Sequence, residues 1–313
     1  MITWLNAQLH NHTVHSDGKD TVEQMVDKLS ARGAQILAIT DHNAVSGIPA
    51  FLKRCKEKNI IGIRGNEISS YYGHIAALGL EEYIDWRYYR IDNPEQVFDD
   101  IHKRNALCGY AHPIRIGYPI VPSCAWMYAI SDYSKIDYFE ILNTGDWSRS
   151  RNDMVIEDWL KRLREGFLHL GAISALDYHA RPFHGHEYVT YLGLDLSASD
   201  LEKEAMTAIK RQRIIVCKDQ FIDIYALDSN GNRYIPGDCI PNEKVSLHIE
   251  IPREYDAQRY IVTLDDQIGK KIIDDFSGIL EIDDFSEFLV VSVYRDTVDF
   301  FNLLAISNPF KTL

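Results

Sequence analysis

The segment Leu9-His10-Asn11-His12-Thr13-Val14-His15-Ser16-Asp17-Gly18 governs the reading of the whole chain. It follows a short apolar run and carries His10, His12 and Asp17 within eight positions. On a strand, residues two apart point to the same face. His10 and His12 can therefore aim their imidazoles at one point, and Asp17 can return to it from the following loop. Imidazole suits zinc and iron, and carboxylate suits manganese or magnesium.

From this segment to about residue 212, strand-like and helix-like stretches alternate. Asp20 reads as an N-cap with Glu23 completing a capping box, and Gly33 stands at the C-terminal stop. Val22, Met25, Val26 and Leu29 recur between them at helical spacing. Ile36-Leu37-Ala38-Ile39 reads as a buried strand ending at Asp41-His42. A helix around 49–58 leads to a strand at 60–63 and then to Glu67. His74 precedes a strand at 75–80. Asn93 and Pro94 open a helix, and a strand at 106–111 ends in His112. Strands at 138–142 and 168–175 flank a helix at 153–164 stopped by Gly166, and a last helix covers 200–212. Repeated βα units imply a parallel sheet covered by helices, and polar strand ends suggest a barrel with its site at the carboxyl mouth.

From about Ile214 helical periodicity disappears. Short β-rich runs at 221–226, 245–251, 260–264, 279–282 and 288–294 are separated by turns such as Asn230-Gly231-Asn232 and Pro236-Gly237-Asp238. This pattern suggests a β-sandwich. The expected organisation is a barrel over residues 1–212 followed by a small all-β domain over 213–313. Ile-Asp-Asp-Phe-Ser occurs at both 273–277 and 282–286. The spacing lacks the oxygen ligands of a calcium site, and acidic hairpin turns are the better reading.

The 313 residues carry a formal net charge of −13, which argues against an extended nucleic-acid surface. A small phosphorylated substrate stays compatible, because bound cations reshape the local field. The chain has no apolar run of membrane-spanning length, and Met-Ile-Thr-Trp-Leu-Asn lacks the features of a signal peptide, so a cytoplasmic protein is expected. Five cysteines, odd in number and without CxxC spacing, read as free thiols in a reducing compartment.

The polar residues at strand ends are His10, His12, Asp17, His42, Glu67, His74, His112, Asp177 and His179, taking in six of the twelve histidines. Packing alone gives histidines no reason to gather at strand ends. The set includes His-Asn-His at 10–12, Ser-Asp-Gly at 16–18, Thr-Asp-His-Asn at 40–43 and Asn-Glu-Ile-Ser at 66–69. Gly-His at 73–74, His-Pro at 112–113, Glu-Ile-Leu-Asn at 140–143 and Asp-Tyr-His at 177–179 complete it. On these motifs the chain resembles the PHP (polymerase and histidinol phosphatase) superfamily of metal-dependent hydrolases, and within it the CehA/McbA-type branch. The tail Ala-Ile-Ser-Asn-Pro at 305–309 is similar to the end of longer members with a C-terminal β-domain. One departure is Ser174-Ala175-Leu176 before Asp177, where relatives commonly have Gly-Ser.

The resemblance implies an α/β fold, a distorted seven-stranded TIM-like barrel holding two or three divalent ions (zinc, manganese or iron). It places His10, His12, Glu67 and Asp177 on one ion. Glu67 bridges to a second ion, shared with His74 and His112. Asp17, His42 and His179 hold a third. Within this set Asp17, His42, Glu67 and Asp177 are the expected catalytic residues. Metals lower the pKa of water enough to provide hydroxide near neutral pH. The sequence has no GxSxG elbow or nucleophilic cysteine motif. The amidohydrolases also use His-x-His on a barrel but commonly bridge with a lysine, and here Glu67 fills that role.

Further residues have two readings. Asp41 either orients a ligand or ties down a loop. Glu140 either orders a ligand histidine, binds substrate, or is a structural acid. Arg115, Arg181 and His184 are candidate substrate contacts, since arginine grips phosphate bidentately and a histidine can protonate a leaving group. Arg149 and Arg151 are better read as surface residues, and His186, like His184, is either a general acid for the leaving group or an exposed loop histidine, the latter being the better reading. His15 reads as a neighbour of ligands, and His102, His169 and His248 as ordinary interior positions. Trp126 and Trp147 either line a pocket or pack.

The leading functional expectation is hydrolysis of a phosphomonoester or phosphodiester on a small-molecule or oligonucleotide-end substrate. The alternatives are carbamate or aryl ester hydrolysis at the same site, and a non-catalytic metal-stabilised binding module.

Overall fold

The computed structural model describes residues 1–117, 121–143, 150–180, 187–241, 243–253, 255, 259–283 and 285–312. The first part of the chain contains β1 (Ile2–Gln8), α1 (Val22–Ala31), β2 (Ile36–Ala38), α2 (Ile48–Glu57), β3 (Ile61–Ile63), β4 (Gly65–Ser69) and β5 (His74–Leu78). It continues with α3 (Glu95–His102), β6 (Leu107–Tyr110), β7 (Tyr138–Asn143), α4 (Asn152–Arg164), β8 (Gly171–Ala175), β9 (Tyr188–Asp195) and α5 (Leu201–Lys210). The rest is β-rich: β10 (Ile214–Lys218), β11 (Asp223–Leu227), β12 (Arg233–Tyr234), β13 (Cys239–Ile240), β14 (Val245–Glu250) and β15 (Tyr260–Asp265). β16 (Lys270–Ile273), β17 (Ile279–Ile282), β18 (Phe288–Arg295), β19 (Leu303–Ser307) and β20 (Phe310–Thr312) follow. No described helix is long and apolar enough to cross a membrane.

The helices form where apolar spacing and capping agree. In α1 the inward residues are Val22, Met25, Val26 and Leu29. Its cap is one residue later than the sequence pattern implies. Thr21 accepts from the Gln24 amide, and Gln24 completes the capping box. The Asp20 carboxylate is engaged elsewhere, 2.6 Å from Lys28 Nζ and 2.6 Å from the Tyr178 hydroxyl.

The expectation of a wholly parallel sheet is corrected. β1, β2 and β3 are parallel, as are β6, β7 and β8. However, β5 is antiparallel to both β4 and β6. The connection from Ser69 to His74 is too short for the crossover that parallel strands need. β9, which the sequence pattern did not single out, lies antiparallel between β1 and β10.

The ladders do not form one closed sheet among the described residues. β1–β3 belong to an eleven-stranded sheet and β4–β8 to a five-stranded one. Two isolated parallel bridges join the sheets at the mouth, His42 to Glu67 and Asn11 to Tyr178. Asn11 also stitches β1 to β2, its amide donating to the Gln8 and Ala38 carbonyls at 2.9 Å each.

The eleven-stranded sheet runs through residue 213 into the β-rich part, and two apolar cores share it as a wall. On β10, Ile214 and Val216 belong to the core shared with β1, β5 and α5. Ile215 and Cys217 belong to the core shared with β11, β14 and β15. β18 does the same, with Phe288 and Val290 on one side and Leu289, Val291 and Val293 on the other. Two-sided burial explains why these strands read as apolar runs. The four-stranded sheet β12-β11-β14-β17 lies on the far side of the second core. The repeated pentapeptides place Phe276 and Phe285 in this core.

Candidate metal centre

The centre gathers at the mouth marked by the two bridges. His10 and His12 follow β1, His42 follows β2, and His112 follows β6, while Asp177 and His179 follow β8. Glu67 is inside β4. His74 opens β5, because the antiparallel hairpin brings the end of β4 and the start of β5 to the same mouth.

Glu67 is fully buried at the middle of the cluster. Its Oε2 lies 3.2 Å from His10 Nε2, 3.3 Å from His12 Nε2 and 2.8 Å from His42 Nδ1. Its Oε1 lies 3.0 Å from His74 Nδ1 and 3.1 Å from His112 Nε2. Asp177 Oδ1 is 3.2 Å from His12 Nε2 and 3.6 Å from His10 Nε2. Asp17 Oδ1 is 3.0 Å from His179 Nε2 and 3.6 Å from His42 Nε2.

Among the described residues, three overlapping groups have ligand atoms within 4.8 Å of one another: His12, Asp17, His42 and His179; His10, His12 and Glu67; and His42, Glu67 and His74. All nine strand-end residues therefore meet in one region. The groups join His12 to the Asp17 set and His42 to the His74 set, which divides the residues differently from the resemblance. His112 and Asp177 approach Glu67 and the histidines without entering a group.

The donor chemistry fits cations. Among the described residues, His10 Nε2, His12 Nδ1, His12 Nε2 and Glu67 Oε2 are buried without a hydrogen-bond partner. An orphaned buried polar atom costs about 1–3 kcal/mol, so a cluster of them calls for something to bind. One ligand atom from each of His10, His12 and Glu67 lies within 4.8 Å of the others, a spacing at which donors can share a cation.

Burial disfavours charge throughout, and the neighbours decide the outcome. For Glu67 burial is the strongest influence, yet His42, His10 and His74 hold the carboxyl well below its usual range. Asp177 is likewise buried and is held well down, first by Arg115 and then by His10. Burial brings His12 down to about 4, whereas His42 is pushed up to about 9 because Glu67 and Asp17 overcome it. Asp17 falls to about 2; the His179 hydrogen bond and the charges of His42 and His179 outweigh its partial burial.

The supporting contacts are specific. The Thr13 amide and hydroxyl both donate to Asp41 at 2.7 Å, and the Ser16 hydroxyl donates at 2.6 Å. Asp41 thus ties down the loop carrying Asp17. Gly18 lets that loop return to the His12 backbone, where a Cβ would stand 2.5 Å from the His12 carbonyl. His42 Nδ1 lies 2.5 Å from Ser69 Oγ, a partner that no sequence signal marks, serine being common everywhere. The Trp126 indole donates to the His74 carbonyl at 2.9 Å and its ring packs edge-on against Tyr110.

Arg115 reaches the centre through an ion pair with Asp177. Arg151 instead precedes α4 and pairs with Asp153 at 3.6 Å. His15 is bonded to Ser46, away from the cluster. Arg149, Arg181, His184, His186 and Trp147 lie outside the described residues.

A model of the PHP domain matches residues 8–189 of this sequence. The chain belongs to the PHP domain family. This PHP chain is 35% identical over 80 residues to the phosphoribosyl 1,2-cyclic phosphate 1,2-diphosphodiesterase of Eggerthella lenta, covering 24% of this chain and 30% of that one. It is 32% identical over 80 residues to the 3',5'-nucleoside bisphosphate phosphatase of Chromobacterium violaceum, covering 24% and 28% respectively. It thus spans less than a third of the length of either relative. In fold it is similar to a two-domain protein of Bacteroides vulgatus containing a predicted PHP-like metal-dependent phosphoesterase. The TM-score is 0.56 at 15% identity, and the match covers 99% of this chain and 96% of that one.

Proposed function

We propose that this PHP chain is a metal-dependent phosphoesterase acting on a small phosphomonoester or phosphodiester. The observation that carries the reading is Glu67, whose two oxygens face different histidines: His10, His12 and His42 on Oε2, His74 and His112 on Oε1. A carboxylate placed in this way suits bridging two cations. The two curated relatives are named for phosphoester chemistry, one on a cyclic phosphate and one on a bisphosphate.

On the pattern that the family resemblance implies, His10, His12, Glu67 and Asp177 would hold one ion, His74 and His112 would join Glu67 at a second, and Asp17, His42 and His179 would hold a third. The observed groups, which add His12 to the last set and His42 to the His74 set, support shared ligands rather than this exact division. Zinc, manganese and iron all suit mixed imidazole and carboxylate donors. Divalent ions held there supply Lewis acidity and lower the pKa of water towards neutrality. The chain's own residues orient the reactants. Arg115, already turned into the centre, offers a planar fork for phosphate oxygens. Arg181 and His184 are proposed as further substrate contacts on sequence grounds. We further propose a distorted seven-stranded, barrel-like arrangement in which residues 1–212 carry the chemistry and 213–313 form a second unit; the two isolated bridges between the sheets support this reading.

Protein purified without chelator and loaded with manganese or zinc tests the proposal on a panel of phosphomonoesters and phosphodiesters beside aryl carbamates. Turnover of a phosphoester that chelator abolishes supports it. Inactivity on every phosphoester sinks it, and turnover of the carbamates alone would reassign the same centre to carbonyl chemistry.

A further inference from the structure

Glu140 is almost completely buried on β7. A buried carboxylate survives only if its oxygens are satisfied, and both are satisfied by residues of the centre. Oε1 accepts from His10 Nδ1–H at 2.6 Å, and Oε2 accepts from the His112 backbone N–H at 3.0 Å.

The two contacts act on different sides of Glu67. With Nδ1–H committed to Glu140, His10 turns Nε2 towards Glu67 Oε2, 3.2 Å away. His112 is approached through its backbone. Its φ is 27°, in the left-handed region that a histidine rarely adopts. Its ring is oriented separately, by Nδ1–H donation to the Cys124 carbonyl at 3.0 Å, which leaves Nε2 facing Glu67 Oε1 at 3.1 Å.

The register between β7 and β8 shifts between Glu140 and Leu142. The irregularity falls at the position that carries Glu140.

Building on the metal-centre reading above, we propose that Glu140 is a positioning residue that couples the two faces of Glu67. One of its oxygens sets the tautomer and direction of the His10 ring, and the other holds the His112 backbone in its left-handed conformation. Neither oxygen needs to touch an ion or the substrate.

The test compares Glu140→Ala and Glu140→Gln with the wild-type chain, using zinc as the probe. Zinc affinity is measured by chelator competition. The His10 ring is read by long-range nitrogen–proton NMR of the zinc-loaded protein, and metal-free melting reports on folding. Loss of a group that orients a ligand costs about 10–100-fold in metal affinity, the loss expected for Glu140→Ala. Glu140→Gln is expected to fall between. Its amide oxygen can accept from His10 Nδ1–H, but its NH2 cannot accept from the His112 amide. The His10 Nδ1–H signal should persist in Glu140→Gln and be lost or shifted in Glu140→Ala. Wild-type zinc affinity in both variants overturns the proposal. If Glu140→Ala does not fold, wild-type affinity in Glu140→Gln overturns it alone. Failure of the wild-type chain to bind zinc or manganese would sink the functional reading and this one together, whereas unaltered binding in the variants sinks this one only.

Discussion

Glu67 and Asp265 are both buried carboxylates, and they stand in regions built on different rules. Burial is the strongest influence on each and opposes its charge. Around Glu67 the histidines prevail and hold the carboxyl well down. Around Asp265 the attraction of Lys270 and Arg164 does not, and its pKa rises. The two also differ in how their oxygens are met. Asp265 is answered by a direct contact, Arg164 Nη2 at 2.8 Å, which joins α4 to β15. Glu67 is surrounded by ring nitrogens, of which those of His10 and His12 that face it lack hydrogen-bond partners among the described residues, as does its own Oε2. At Asp265 the paired charge forms a joint between two elements, whereas at Glu67 several unpartnered donor atoms gather in one place, which suits cation binding.

The contrast is broken most severely at Glu67. Glu67→Gln removes the charge shared by the proposed ions. Metal content by elemental analysis should fall together with phosphoester turnover, by about a thousandfold or more in rate, since bound metals supply several kcal/mol. Retained turnover would show that the open site is not the functional one. At the joint, Arg164→Met leaves Asp265 buried without its closest partner, with only Lys270 at 4.0 Å remaining as a paired cation among the described residues. Losing one member of a buried pair costs about 3–5 kcal/mol, and the low end is expected because Arg164 is 28% exposed. Denaturant unfolding measures this, and metal content should not change.

Stripping metal from the wild-type chain should affect stability through the open site alone. A ligand present at about a hundred times its Kd contributes about 2.7 kcal/mol, so chelator should lower the melting temperature and added metal should restore it. A melting temperature indifferent to chelator would contradict the reading. pH sharpens the same point. His42 is pushed from 6.5 to about 9, burial opposing the shift while Glu67 and Asp17 impose it. A raised histidine stabilises the metal-free fold fully below about pH 6.5, and that contribution fades as pH rises through about 9. Metal binding needs the neutral ring, so apparent affinity should climb across that window, with proton release at pH 7. Calorimetry in two buffers of different ionisation enthalpy checks this, and a heat independent of buffer would contradict it.

The smallest effect is expected in the shared wall. Ile214→Val and Ile215→Val thin opposite faces of β10, and each should cost about 0.5–1.5 kcal/mol. Both should act on one cooperative unfolding transition, because the two cores share that sheet. Two separate transitions, each moved by one substitution, would instead make the cores independent.

Much of the centre was legible because metal chemistry favours few residue types and strand ends are marked locally by apolar runs. His10, His12, Asp17, His42, Glu67, His74, His112, Asp177 and His179 could be collected in this way, and the structure brings them into one region. The β-rich run after Ile214 was legible from its turns. The strand Tyr188–Asp195 was missed: buried along most of its length, it shows no clean alternation. The capping residue of α1 was misjudged by one position because Asp20 is drawn to Lys28 and Tyr178 by tertiary contacts.

The sequence by itself determined the chemical inventory: which side chains can donate to a cation, where apolar periodicity changes, and what net charge excludes. Tertiary structure alone decided the partners. It placed five histidines around the two oxygens of Glu67, spanned His10 and His112 with Glu140, and made β10 a wall between two cores. The physical reason is range. Residue type and local pattern are properties of a short stretch of chain. A carboxylate's charge, a ring's direction and a strand's two-sided burial depend on atoms brought close from positions far away in the sequence.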